Sequence, residues 1–381
     1  MRVGISTFGC EHGKSGLGTY LYSVIQHLTS NDKYNFVLFG NETDRFTYFN
    51  DNHLEYISVN SLDNIILDRF FHKFSINKFY KKNNFDMVIY AGGPRFLPDS
   101  ITIPSIVIVN EVVSASIKNN KIFLGEKKIK KLLNSCVAVI ASSEYIKKDL
   151  VKIGVNSSLI KVIYSGINQA IFFPADLEHV ENDSQIVNIK PFAIKKKYIV
   201  YGSKMQNNQT KHLELIKAFN SFKKRTGSSL RLVIAGAEGP YSDEVHKAAY
   251  ISEYSSDIFI TGYFSPENFS KLYRNAEACI FPAINEGVAL PVLEAMASGI
   301  PVACSSSGAL PEITGNLACY FDSSKIEEIS AAIDKVVNDT EWREKVIKSG
   351  IEWTKNFTWE KTVENILNLL DELNTEEESL N

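Results

Sequence analysis

Residues 282–302 read Pro-Ala-Ile-Asn-Glu-Gly-Val-Ala-Leu-Pro-Val-Leu-Glu-Ala-Met-Ala-Ser-Gly-Ile-Pro-Val, directly after a short apolar run at 278–281. The stretch follows a strand and opens a helix. Pro291 suits a first helical turn, where its missing N–H has no intrahelical partner to lose, and Gly299 suits the stop, so the spacing predicts a helix over 291–298. Glu286 then lies in the loop before that helix. Glu294 sits in its first turn, where backbone N–H groups and the helix dipole favour an anion such as a diphosphate. A carboxylate accepts paired hydrogen bonds from vicinal hydroxyls, so two carboxylates flanking one phosphate site suit a ligand with a sugar on each side of a diphosphate. That is the chemistry of a sugar nucleotide. For two isolated glutamates the commoner outcome is a helix-end charge and a solvated loop residue, and the surrounding string has to shift that balance.

On both sides of the stretch, short β-branched runs alternate with longer helix-period segments, the pattern of βαβ units and a parallel sheet covered on both faces. Strands are expected at 2–7, 35–39, 87–90, 105–109, 138–141 and 161–163, and again at 198–201, 230–235, 258–261, 278–281 and 301–303. Residues 175–197 between the two sets are polar and weakly periodic. The fold class is therefore α/β, with two Rossmann-like domains, and 381 residues fit two domains better than one. Two such sheets place their strand carboxyl ends around a crevice where ligands bind.

Composition narrows the function classes. Hydrophobic residues make up 44% and charged residues 22%, as in a soluble globular protein. Cys10, Cys136, Cys279, Cys304 and Cys319 show no Cys-x-x-Cys spacing, so neither a zinc site nor a disulfide framework is indicated and a reducing cytoplasm is expected. No apolar run reaches the roughly 18 residues of a membrane span, and the start lacks a signal-peptide core. No Asp-x-Asp signature appears, the seven His form no close metal-binding pair, and no metal or cofactor is expected. Gly13-Lys14-Ser15 lacks the Gly required five residues earlier for a phosphate loop, which removes support for an ATPase. Residues 1–175 hold 20 Lys and Arg against 14 Asp and Glu, leaving 21 against 30 for the remainder. The overall charge is negative and no recognition motif appears, which argues against nucleic acid as a partner. Two Lys- and Phe- or Leu-bearing stretches, 69–82 and 118–131, explain the basic first half. Each is read either as an amphipathic helix with a solvated face or as a peripheral contact with anionic membrane.

Glu-Gly-x-x-Leu-Pro-x-Leu-Glu-Ala-Met-Ala-x-Gly-x-Pro-Val resembles the Glu-x7-Glu signature of the family 4 retaining glycosyltransferases of GT-B fold. The resemblance extends to Thr261-Gly262-Tyr263-Phe264, Leu272-Tyr273-Arg274-Asn275-Ala276 and Gly308-Ala309-Leu310-Pro311-Glu312. Upstream it reaches Ala141-Ser142-Ser143-Glu144-Tyr145 and 162–168, and downstream Phe357-Thr358-Trp359-Glu360. It implies an acceptor-side domain over 1–175, a nucleotide-sugar-binding domain over 176–355, and a closing helix over 356–381 that crosses back to the first domain. It also implies that Glu294 holds the nucleotide ribose and Glu286 the donor-sugar hydroxyls. Amides of Gly287, Val288, Ala289 and Leu290 would orient that sugar, and those near Pro291 and Val292 would face the diphosphate. Where the family has Phe and Gly, this chain has Val288 and Ala289.

The same resemblance assigns cations for the leaving phosphate to Lys204 and Lys211, with Lys211 opening a helix. Either Lys alone could be a solvated surface charge. Gly16 and Gly18, after the first strand, would line the phosphate and acceptor side of the cleft, with Lys14 as a further charge, while Gly262 and Tyr263 would meet the base. Asn110-Glu111 stands where the family often has His and an acidic residue; Asn110 keeps hydrogen-bonding capacity but does not titrate. His12 and His212 adjoin these loops. The expected activity is retaining, metal-independent transfer of a hexose, with mannose from GDP-mannose favoured. The expected acceptor is a saccharide, lipid-linked, in O-antigen (lipopolysaccharide), capsule or exopolysaccharide assembly on the inner face of the membrane. The alternatives are a silent sugar-nucleotide-binding scaffold and a GT-B-fold epimerase; the epimerase needs an acid/base pair that the sequence does not show.

Overall fold

The computed structural model describes residues 1–10, 13, 16–48, 54–59, 65–118, 124–175, 186–195 and 197–380. His12, Lys14 and Lys121, and residues 176–185 of the polar segment, lie outside the described residues. The chain divides into two units, residues 1–166 with 359–381, and residues 167–358.

In the first unit, β1 (Arg2–Ser6), β2 (Asn35–Asn41), β3 (Glu55–Val59), β4 (Met87–Tyr90), β5 (Ser105–Val109), β6 (Ala138–Ala141) and β7 (Ile160–Val162) form one sheet in the order β3-β2-β1-β4-β5-β6-β7. Every pairing is parallel. Strands β4, β5 and β6 are buried at each position, which is why they read as unbroken apolar runs. The helix Trp359–Leu380 completes this unit. It buries Val363, Ile366, Leu369 and Leu370, each contributing about 1.5–3 kcal/mol. Trp359 meets Tyr20 edge to face at 5.5 Å, and Thr362 Oγ1 donates to the Tyr164 carbonyl at 2.8 Å.

In the second unit, β8 (Ile186–Ile189) and β9 (Phe192–Lys195) form an antiparallel hairpin. Then β10 (Tyr198–Gly202), β11 (Arg231–Ala235), β12 (Ile258–Gly262), β13 (Ala278–Phe281), β14 (Val302–Ser305) and β15 (Cys319–Phe321) build a parallel sheet in the order β12-β11-β10-β13-β14-β15.

Several expectations need adjustment. β3, β15 and the hairpin were not anticipated; the hairpin falls in the segment read as irregular. The first unit ends at Gly166 rather than 175, because residues 167–173 bond to the second unit. Ile167 donates to the Phe357 carbonyl at 3.0 Å, the Ile171 carbonyl accepts from Ser270, and the Arg274 guanidinium lies 4.3 Å from the Phe173 ring. In the stretch 118–131, the helix Glu126–Leu133 turns Ile129, Leu132 and Leu133 inward and leaves Lys127, Lys130 and Lys131 in solvent. That helix is amphipathic in the ordinary sense and offers no apolar face outward. No helix among the described residues is long and apolar enough to cross a membrane.

Candidate active site

The strand order of the second unit reverses between β10 and β13, and ligands of open parallel sheets bind beyond the carboxyl ends at such a reversal. The loops after these two strands carry Lys204 and Lys211 on one side and Glu286 on the other. They are tied together where Ile284 donates to the Gln209 carbonyl at 2.9 Å.

After β10, Lys204 is exposed, with no carboxylate partner among the described residues. Asn207 caps the following turn by accepting from the Gln209 amide at 2.9 Å. Lys211 has a left-handed backbone (φ 57) and immediately precedes the helix His212–Thr226. Its side chain is only 18% exposed, and the ammonium reaches Glu214 one turn on at 2.7 Å. Glu214 is a residue the sequence reading missed, although its i,i+3 spacing from Lys211 was visible. His212 is fully buried, holds Thr210 Oγ1 at 2.7 Å and packs on the Tyr201 ring. Burial pushes its imidazole down to about 4, so it is a neutral packing residue. Tyr201 donates to the Thr210 carbonyl at 2.6 Å, and burial pushes its phenol far up, with Glu286 and Glu214 adding negative field.

After β13, three anchors fix the loop. Ser323 Oγ donates to the Pro282 carbonyl at 2.6 Å, Ile284 makes the bond already described, and Ala309 donates to the Glu286 carbonyl at 2.8 Å. Gly308 explains that last anchor. It adopts φ 73, and a Cβ there would stand 2.7 Å from the Glu286 carbonyl oxygen and 2.9 Å from its nitrogen. Only glycine lets the two backbones approach this closely. Ala289 caps the helix Leu290–Ala297 at φ 52, ψ 40, a left-handed conformation, so the backbone shape glycine would favour is kept with alanine in place. The helix starts one residue before Pro291 and closes at Gly299, φ 78. Gly287 and Val292 are buried, while Val288, Leu290 and Pro291 are partly accessible.

Glu294 is the most unusual group. Its carboxylate makes no hydrogen bond or ion pair among the described residues, and burial lifts it from 4.5 to about 7. Its negative field reaches the Cys279 thiol and the Tyr273 hydroxyl, and that hydroxyl is itself buried without a partner. Because the helix already starts at Leu290, Glu294 stands one turn in rather than in the first turn, and its unpartnered carboxylate lies at the sheet's reversal point with its acceptor sites unfilled. Gly262 ends edge strand β12 and Tyr263 follows it. The Gly262 carbonyl accepts from Gly236 at 2.8 Å, and Tyr263 is 73% exposed.

The first unit holds the other three candidates. Gly16 opens the helix Gly16–His27 with clear space where a Cβ would be; at Gly18 a Cβ would run into the Cys10 carbonyl and stand 2.6 Å from Gly13 Cα. Gly18 thus serves a close turn-to-helix contact, and Gly16 is the open one. Asn110 follows β5 and accepts a hydrogen bond at Oδ1 from Ser142 Oγ, which orients its amide nitrogen away from Ser142. Glu111 is held by Arg95 through paired bonds of 2.9 Å and by Ser116 at 2.6 Å.

The profile described as Glycosyl transferases group 1 matches residues 184–353, and that of Glycosyltransferase Family 4 matches residues 14–170. The chain belongs to the family 4, group 1 glycosyltransferases. Its fold is GT-B. It is 30% identical over 154 residues to the O-antigen chain mannosyltransferase B of Escherichia coli, which is 40% of each chain. It is 26% identical over 107 residues to the serotype-specific mannosyltransferase WbdA of the same organism, 28% of this chain and 13% of that one. The matches thus span less than half of either relative. Among solved structures, Anabaena Alr3699/HepE in complex with UDP and glucose superposes with a TM-score of 0.74, covering 98% of this chain and 100% of that one at 13% identity. This glycosyltransferase shares its fold with that protein.

Proposed function

We propose that the transferase moves a hexose, mannose from GDP-mannose in the first instance, to a lipid-linked saccharide acceptor, with retention of anomeric configuration and no metal ion. The observation that carries the reading is the unpartnered Glu294 carboxylate, one turn into Leu290–Ala297, at the β10/β13 reversal. A ribose diol supplies the two donors that carboxylate lacks. The two mannosyltransferase relatives support the sugar.

In the proposed reaction, Glu286 binds donor-sugar hydroxyls, with its backbone held by Ala309. The bond from the anomeric carbon to the diphosphate breaks, and the acceptor oxygen bonds to that carbon on the same face. The acceptor proton passes to the departing diphosphate. Charge growing on that diphosphate is met by Lys204, by Lys211 and by the helix N-terminus. Asn110, oriented by Ser142, offers an amide donor to the sugar. No protein base is needed.

The test is a thermal-shift screen of GDP, UDP, dTDP and ADP against wild type and Glu294→Ala, since a ligand bound only by the folded state raises Tm. GDP stabilising the wild type alone, followed by α-mannosyl transfer from GDP-mannose, supports the reading. Another nucleotide winning replaces the donor, and none winning overturns the site.

A further inference from the structure

Residues 65–82 form one continuous rod: the helix Ile65–Phe70, a π-helical turn Phe71–Ser75, and the helix Ile76–Lys82. The wider turn changes the repeat. Asp68, His72, Ile76 and Tyr80, four residues apart, all face inward. His72 packs edge-on against Phe8 at 4.6 Å, and Phe71 stacks on Phe8 at 5.8 Å. Phe8 follows β1 and Phe96, 5.5 Å from the His72 ring, follows β4, so the rod lies one side-chain layer behind the strand-order reversal of the first sheet.

The outward side is the reverse of a normal surface helix. Ile66, Leu67, Phe70 and Phe74 are 59%, 40%, 56% and 62% exposed, and the Phe70 and Phe74 rings stack on each other at 5.9 Å. Lys73, Lys78, Lys81 and Lys82 are exposed beside them, and none has a carboxylate partner among the described residues. Elsewhere in the unit some surface lysines find acids, Lys33 with Asp371, Lys128 with Asp99 and Lys161 with Glu372, while others such as Lys127, Lys130 and Lys148 have none among the described residues. The only carboxylate of the rod, Asp68, is buried.

We propose that this outward face docks on an anionic lipid bilayer, with Phe70, Phe74, Ile66 and Leu67 at the acyl boundary and the four lysines among the headgroups. Apolar side chains at this exposure flanked by unpaired cations complement a surface that is apolar beneath and negative above. An acidic protein partner would meet the lysines but give the stacked phenylalanines no depth to enter. The proposal deepens the reading of a lipid-linked acceptor, since it holds the acceptor-side sheet against the layer that carries such a molecule. It does not depend on the donor assignment, because vesicle binding reads no turnover.

The test is flotation of the full chain with vesicles of phosphatidylcholine alone, or with about one-third phosphatidylglycerol. Binding is expected only with the anionic lipid and is expected to weaken with salt. Phe70→Ser with Phe74→Ser should lower partitioning at least about tenfold. Lys78→Ser with Lys82→Ser should lower it about 25-fold, roughly fivefold per lysine. Lys127→Ser with Lys130→Ser, on the helix whose apolar face is turned inward, should change it less than either. All altered side chains are in solvent, so circular dichroism should report unchanged folding. The proposal is overturned by three results: no binding of wild type to anionic vesicles, equal binding by the phenylalanine variant, or a dimer in light scattering that this variant dissociates while no vesicle is bound.

Discussion

Replacing Glu294 with glutamine should make the protein more stable and less functional at once. In the folded chain the carboxyl group titrates near 7, against 4.5 for an unhindered one, because burial disfavours its charge. The folded state therefore binds the proton more tightly than the unfolded one, and stability falls as pH rises from about 4.5 through about 7, then levels. A shift of that size corresponds to about 3 kcal/mol at pH 8. Glutamine keeps the shape and removes the charge. Glu294 is partly accessible, which screens its charge, and the amide has no protein partner waiting for it, so about 1–3 kcal/mol should remain. For a unit of this size that is roughly 2–4 °C in Tm per kcal/mol. Scanning calorimetry of wild type and Glu294→Gln at pH 5, 6, 7 and 8 gives the check. The variant should melt higher at pH 8 and lose its advantage at pH 5, where wild type is protonated too. It should also lose the stabilisation by nucleoside diphosphate that wild type gains. A variant that melts lower at pH 8, or by the same offset at pH 5 and pH 8, would show that the carboxylate is not held charged against burial.

A ribose diol donates to the ionised carboxylate, so calorimetric affinity for the nucleoside diphosphate should fall about tenfold per pH unit below 7 and be flat above it; the opposite slope would remove Glu294 from the contact. Ala289→Gly should raise stability in urea by about 0.5–1 kcal/mol, the relief of a left-handed alanine less glycine's entropy, and a loss of stability would contradict the φ of 52. Gly308→Ala should leave a folded protein with transfer reduced about 100-fold, because Glu286 must move away from the new methyl group; unchanged kcat/KM would mean that the Glu286 backbone position is immaterial. Lys204→Ala should leave unfolding free energy within about 0.5 kcal/mol of wild type while weakening diphosphate binding, as expected of an exposed cation without a carboxylate partner among the described residues, and unchanged binding in a direct titration would return Lys204 to the solvated surface.

Legibility followed burial. Strands β4, β5 and β6 are buried on both faces and stood out as apolar runs, whereas β3 and β15 are edge strands with half-exposed positions and so carried no clear period. The helix after Glu286 was readable because proline and glycine punctuate it, yet its start moved by one residue because the left-handed cap is an alanine, which in sequence is no signal at all. The carboxylates were found from spacing and resemblance, but what sets them apart is not local. Glu294 is unusual because no side chain from the neighbouring elements satisfies it, although its field reaches Tyr273 and Cys279 on two of them. Glu286 is held by Gly308, whose missing Cβ is informative only once its neighbour is known. The stretch 69–82 shows the same limit from the other side: composition gave lysines and phenylalanines, as it did for 118–131, and could not separate them. Around a single π-helical turn, inward residues recur every four positions and Phe70 and Phe74 point outward in one, while the ordinary helix buries Ile129, Leu132 and Leu133 in the other. Pattern therefore identifies the elements, and contact between distant elements decides which of their residues are left for a ligand or a surface to complete.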